Sequence, residues 1–296
     1  MAVASEGIEL NSYNETLTCH KSAPSTVSRT MIEFLLNNEA TIRLSVFVAV
    51  FATMAVWETL SPRRSLVEGR GARWITNWSL VVIDAFAVRL LVPVLAVAWA
   101  HSASERDLGL LNFLELPFWI ELVVAIVLLD MLIYWQHVAS HKIPLLWRVH
   151  RVHHADRDID VTTGARFHPV EIVLSMFFKL VCIALIGPSA VAVMIFEVML
   201  NASAMFNHSN VKLGSNLDRF LRRVIVTPDM HRVHHSVVQR ETDSNFGFFL
   251  SAWDRLFGSY IDQPNQGHHD MSIGLKSHQN KSPNKLAWAL LFPFKN

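Results

Sequence analysis

Residues 170–206 read VEIVLSMFFKLVCIALIGPSAVAVMIFEVMLNASAMF, an apolar stretch too long for one ordinary membrane span and interrupted once, at Gly187-Pro188-Ser189. Proline cannot continue a helix and Gly-Pro signals a turn, so the stretch predicts a helical hairpin with arms 170–186 and 189–206. Each arm extends ~26 Å at 1.5 Å per residue, slightly less than the hydrocarbon layer. A hairpin returns the chain to the side it left, so the segments before residue 170 and after residue 206 meet on one face. Lys179 and Glu197 stand at nearly equal depth on opposite arms. Intramembrane charges are costly and usually face a partner, so these two are expected to pair.

Outward from the hairpin, 41–60, 78–100 and 113–136 are each about the ~20 apolar residues that cross a bilayer. The 296-residue chain is 51% hydrophobic and only 17% charged, an integral membrane composition. Asp84 and Arg89, within 78–100, make a weaker case for a second intramembrane pair. Formal net charge is +1, which gives no global field for nucleic acid. Cys19 and Cys182 are too few for a disulfide framework. Residues 1–40 are expected to form a mobile tail; Asn14-Glu15-Thr16 within it fits a glycosylation triplet, a frequent chance match. The domain of interest is then 41–296. Arg63, Arg64, Arg70 and Arg73 face a single acid, Glu68, between the first two spans, which places that loop in the cytoplasm. The third span then delivers its C-terminal end to the cytoplasmic face.

Three histidine clusters lie at that face: His137 and His141 as HxxxH, His150, His153 and His154 as HxxHH, and His231, His234 and His235 as HxxHH again. Residues three and four apart share a helical face, so each cluster can aim its rings at one point. Neutral imidazole is the commonest metal ligand. Eight rings exceed the four that one tetrahedral zinc takes and suit two ions. His208 and His168 flank the hairpin on the same side; His208 is expected to join the ligands, whereas a lone histidine such as His168 is more often hydrogen-bonded structure. Asp130, Tyr134, His137 and His141 share one face, making Asp130 a candidate to orient a ligand, although ~10 Å of helix separates it from His137, which makes a packing or cavity role equally apt. Asp156, Asp158 and Asp160 lack the later residues of a calcium loop and are expected as loop carboxylates near the metal shell. Lys142, Arg148, Arg151 and Arg232 read as positive-inside markers, with lipid headgroup binding as the alternative.

From about Asp130 to Tyr260 the sequence resembles the fatty acid hydroxylase superfamily, also called the sterol desaturase family. The resemblance rests on HxxxH at 137–141, on Trp147-Arg148-Val149-His150-Arg151-Val152-His153-His154, on Arg166-Phe167-His168-Pro169-Val170-Glu171 and on HxxHH at 231–235. Asn245-Phe246-Gly247-Phe248 and Trp253-Asp254-Arg255-Leu256-Phe257-Gly258-Ser259-Tyr260 close it. It implies an all-α fold, a polytopic transmembrane helical domain capped by a cytoplasmic histidine-rich helical bundle, holding two Fe ions as a di-iron centre. His208 is similar to the isolated histidine that the family adds between its second and third boxes. His168 and Glu171, in the third matched segment, join Asp130 as candidates to orient ligands. The implied reaction hydroxylates or desaturates a fatty acyl chain, sterol or related lipid with O₂ and external electrons.

Imidazole-rich sites suit zinc, copper, iron or nickel, and only the redox-active metals activate O₂. The chain has no dinucleotide fingerprint, ferredoxin-type cysteine run or haem-domain signature, so the electron donor is expected to be a separate protein of cytochrome b5, ferredoxin or reductase type. A histidine-rich metal transporter is the competing reading from another class, and it requires ligands at mid-membrane. A zinc-dependent membrane hydrolase would need fewer ligands and a glutamate base as in HExxH, and no HExxH is present. A bis-histidine haem protein would need paired histidines on facing spans.

Overall fold

Five helical segments of the computed structural model are long and apolar enough to cross a bilayer: 39–60, 70–104, 118–142, 169–186 and 190–208. The structure describes residues 26–114, 116–280 and 282–295. The expected glycosylation triplet and Cys19 lie outside them. Among the described residues β-pairing is confined to isolated bridges, so the fold is all-α.

The chain opens with α1 (Thr26–Asn37) and α2 (Glu39–Leu60). Residues 26–37 were expected within a tail, but Ile32 is buried and Leu35 and Leu36 pack on the main core. Helix α3 (Arg70–Leu91) stops where Pro93 cannot continue it, and α4 (Ala96–Ser104) resumes the segment. The single continuous span expected over 78–100 is therefore broken, and Trp99 of α4 donates its indole N–H to Leu180 O at 2.9 Å. The expected Asp84–Arg89 pair is likewise absent: Asp84 is buried with Oδ1 unpartnered, and Arg89 is exposed.

Helix α5 (Phe118–Lys142) begins after Pro117 and runs on through both HxxxH histidines, six residues beyond the apolar stretch. Helix α6 (Pro144–His154) starts at once, with proline in its first turn, where a missing N–H costs nothing. The hairpin arms are α7 (Pro169–Ile186) and α8 (Ala190–His208), matching the sequence reading. Gly187 takes φ 70° at the turn, and a Cβ there would stand 2.5 Å from Leu108 O. Only glycine allows both the left-handed backbone and that approach. Ser189 caps α8, its hydroxyl accepting from Ala192 N at 3.4 Å, while Glu121 of α5 accepts from the Ser189 N–H at 2.9 Å.

Ala125 and Leu129 of α5, Ile183 of α7 and Val193 and Phe196 of α8 form the main core between the spans. Beyond the membrane end of this bundle lie α9 (Ser215–Leu221), α10 (Pro228–His234) and α11 (Leu286–Leu291). The loop 61–69 reaches them: Arg63 pairs with Asp229 at 3.0 Å, and Asp158 accepts from the Val67 and Glu68 N–H groups at 2.9 and 2.6 Å. This loop and all the histidine clusters therefore occupy one end of the molecule, and the hairpin tip the other.

Candidate metal centre

Helix ends bring the rings together. His137 and His141 come from the last turns of α5, His150, His153 and His154 from α6, His208 from the last residue of α8, and His231 and His234 from α10 with His235 just after it. Thr227 caps α10 and Pro228 opens it, which fixes where this short helix points its rings. Ring nitrogens of His137, His141, His150, His154 and His234 lie within 4.8 Å of one another, and those of His153, His208, His231 and His235 do so as a second group.

The hydrogen bonds define the tautomers. His137 Nδ1 donates to Phe246 O at 2.8 Å, His153 Nδ1 to Arg166 O at 3.1 Å, His208 Nδ1 to Ala204 O at 2.7 Å and His234 Nδ1 to Ser244 O at 2.7 Å. A carbonyl oxygen only accepts, so each Nδ1 carries the hydrogen and each neutral ring presents a lone pair at Nε2. His137, His150 and His234 leave that Nε2 buried and unpartnered. His153 and His208 aim theirs at each other across 3.1 Å. Two acceptors at that distance repel unless a cation lies between them.

A proton is a poor candidate for that cation. Burial, reinforced by neighbouring rings, holds His153, His154, His231 and His235 well below the ordinary imidazole value, and burial takes His234 to about 3. A metal ion resolves the conflict. Nitrogens sharing one ion at ~2.0–2.1 Å stand ~3.0–3.4 Å apart, and the His141–His154 and His208–His231 Nε2 separations are 3.1 and 3.0 Å. The residues present therefore fit metal.

The candidate supporting residues separate on contact. Glu171 accepts from His150 Nδ1 at 2.6 Å. Asp130 touches no histidine; it accepts from Phe249 N, Leu250 N and Trp253 Nε1 at 3.3, 3.0 and 2.8 Å, so it anchors the closing segment that carries the Phe246 carbonyl. His168 is likewise structural, since its Nδ1 caps α7 by accepting from Val170 N at 3.2 Å and its Nε2 meets Leu290 O.

Asp156 and Asp160 clamp the buried Arg73 of α3 at 2.7 and 2.6 Å, and Arg73 holds Asp156 down to about 2 against its burial. Of the basic residues, Arg232 is fully buried against Asp229, so it neither marks a membrane edge nor reaches a headgroup. Arg148 and Arg151 donate to Pro293 and Phe292 carbonyls behind α11, and Lys142 pairs with Asp243 at 2.9 Å. Asp243 also stands 3.5 Å from His141 Nδ1, a contact that its distance in sequence gave no sign of.

A cavity of about 270 Å³ leads from His137 and His150 between the hairpin arms. At its far side Lys179 meets Glu197 at 2.5 Å, as the depth argument predicts, and Arg43 of α2 adds a second partner at 2.9 Å.

The fatty acid hydroxylase family profile matches residues 122–259. Over 240 residues the chain is 26% identical to the ornithine lipid hydroxylase OlsE of Rhizobium tropici, covering 77% of this chain and 70% of that protein. It is 32% identical over 130 residues to the alkylglycerol monooxygenase of Xenopus tropicalis, covering 44% of this chain and 28% of that longer protein. It is also 30% identical over 193 residues to the very-long-chain aldehyde decarbonylase GL1-11 of Oryza sativa subsp. indica, covering 64% and 71%. No solved structure matches the chain. With its histidines gathered at one end of an apolar helical bundle, the chain belongs to the fatty acid hydroxylase superfamily of membrane-embedded, oxidative lipid-modifying enzymes.

Proposed function

We propose that the protein is a di-iron lipid hydroxylase or desaturase whose metal ligands are His137, His141, His150, His154 and His234 for one ion and His153, His208, His231 and His235 for the other. The observation that carries the reading is the pair of buried, lone-pair-bearing Nε2 atoms of His153 and His208 in one group, together with the buried, unpartnered Nε2 atoms of His137, His150 and His234 in the other. Two iron ions, when bound and reduced, supply the O₂ chemistry that attacks an unactivated C–H bond. The protein's own residues hold and orient. Backbone carbonyls at 166, 204, 244 and 246 fix the ring planes, and Glu171 raises the basicity of His150.

The cavity between the hairpin arms admits the lipid from the bilayer, and Phe248 and Phe167 help to exclude water beside the rings. Electrons come from a separate donor protein of cytochrome b5, ferredoxin or reductase type. The arginine-rich loop 61–69 lies at the histidine end, which supports a cytoplasmic active site in a single domain running from the first span to the C-terminal segment. A metal transporter fits less well, because the rings sit where the helices end and not at mid-membrane. Lipid extracts of cells with and without the protein, compared by mass spectrometry, test the reaction. A species shifted by one oxygen or two hydrogens is expected, dependent on iron and O₂; unchanged lipids in cells containing iron-loaded protein would contradict it.

A further inference from the structure

A second hollow, of about 360 Å³, opens at the histidine end with Trp147 in its wall. The Trp147 ring lies 4.9 Å from the His141 ring and 5.4 Å from that of His154, centroid to centroid. Ser236, also in the lining, directly follows His235, whose ring stacks on His154 at 4.6 Å. The wall of this hollow therefore backs directly on ligands of both groups. The ligand side chains themselves are buried. Electron tunnelling falls off steeply with distance, so a carrier too large to enter the protein has to deliver across a thin wall such as this one.

The charge at the hollow has one sign. Arg151 and Lys276 line it, and no carboxylate does. Arg151 directs its donors at the Phe292 and Lys295 carbonyls and lies over the Phe292 ring at 4.1 Å; Arg148, beside it, donates to the Pro293 carbonyl. Carbonyls leave a cation's charge in place, and among the described residues none of Arg148, Arg151 and Lys276 makes an ion pair. Of the acids next to the lining residue Thr242, Asp243 is held by Lys142 at 2.9 Å and Glu241 is buried on the Asn265 N–H at 2.6 Å. By contrast Arg63, Arg73, Arg222 and Arg232, at the same end, each hold a carboxylate.

We propose that this hollow is the docking face for the electron donor, a protein that carries one electron at a time and presents a carboxylate-rich surface. The inference rests on the proposed oxidation, which takes its electrons from outside the chain. Two successive donors are each oxidised by one electron. Those two electrons, two protons from water and one O₂ convert one C–H bond to C–OH and release one water, or, in desaturation, remove two hydrogens and release two waters. Redox encounters are brief and bury little surface, so steering by unpaired charge suits them better than a broad apolar patch. A phospholipid headgroup would also match the charge, but it has no use for a wall against the ligand rings.

The test is binding of two acidic probes, the soluble haem domain of cytochrome b5 and a plant-type [2Fe–2S] ferredoxin, to the full chain in phosphatidylcholine nanodiscs, read by biolayer interferometry at about 50 and about 300 mM NaCl. At least one probe is expected to bind at low salt and to bind ~10-fold or more weakly at high salt. Lys276→Glu and Gln239→Glu, both exposed in the lining, are expected to weaken it ~10-fold and ~3-fold. Lys212→Glu, exposed in another hollow at the same end, makes the same change of charge as Lys276→Glu and should alter binding less than ~2-fold. Lys276→Arg keeps the charge and should bind as the wild type does. Binding of neither probe, or equal losses from Lys212→Glu and Lys276→Glu, would overturn the proposal. So would phosphatidylglycerol retained through purification by the wild type and lost with Lys276→Glu, which would assign the hollow to lipid headgroups. Iron content is read on the same samples: protein that takes up no iron counts against the metal reading, whereas iron-loaded protein whose donor binding ignores position 276 counts against this docking face alone.

Discussion

Glu171 holds His150 through one short hydrogen bond, and nothing else among the described residues accepts from that Nδ1. Glu171→Leu is expected to lower iron affinity or turnover ~10–100-fold, the usual loss for a group that orients a ligand, whereas Glu171→Gln, which still offers an oxygen, should recover much of it. Equal effects of the two would show that only packing matters there. Acid sensitivity also belongs at this scale. The buried rings of His153, His154, His231 and His235 have folded-state values well below the ~6.5 of an unfolded chain, and His234 lies at about 3. Below pH ~6.5 the unfolded chain takes up protons that the folded chain refuses, so this contribution is whole above ~6.5 and is lost as pH falls toward 3. The Tm of iron-free protein in detergent should therefore drop steadily from about pH 7 to pH 5. A flat profile would mean that the rings protonate freely in the folded state.

Between elements, one buried tie outside the apolar core is Arg73. Its guanidinium joins the first turn of α3 to the loop after α6 through Asp156 and Asp160, all three side chains fully buried. Arg73→Leu leaves Asp160 without its ion-pair partner and Asp156 with only the charge of Arg166 nearby, and is expected to cost ~3–5 kcal/mol, measured as a fall in unfolding free energy in detergent. A loss under ~1 kcal/mol would show that the carboxylates find other partners. In sequence Arg73 is one of four arginines after the first span, and charge bias alone reads them as topology markers. The structure shows them used locally as well: Arg63 on Asp229, Arg64 on the Met271 carbonyl, Arg73 on the aspartates. Long-range pairing of this kind has no periodicity, which is why the aspartates were legible as loop carboxylates but not as the clamp on α3. Hairpin and box histidines were legible because a 3.6-residue repeat and a Gly-Pro break act within a few residues. Asp243 beside His141 and the carbonyls at 244 and 246 were not, since they arrive through a loop with no side-chain code of its own.

For the whole molecule, the proposed topology has the histidine end in the cytoplasm and the hairpin tip on the far side. Exposed Ser215 lies at the first end and exposed Asp107, next to the tip, at the second. Single cysteines at these positions, with Cys19 and Cys182 changed to serine, should react oppositely toward a membrane-impermeant maleimide applied to intact cells. Position 107 is expected to label and position 215 to be protected; the reverse would invert the topology. The two-ion centre is tested most directly by metal analysis combined with Mössbauer spectroscopy of protein loaded with ⁵⁷Fe under anaerobic conditions. Two iron ions per chain are expected, both in nitrogen-rich sites, with one lost on His208→Ala. One zinc per chain, or a single isolated iron unaffected by His208→Ala, would contradict it.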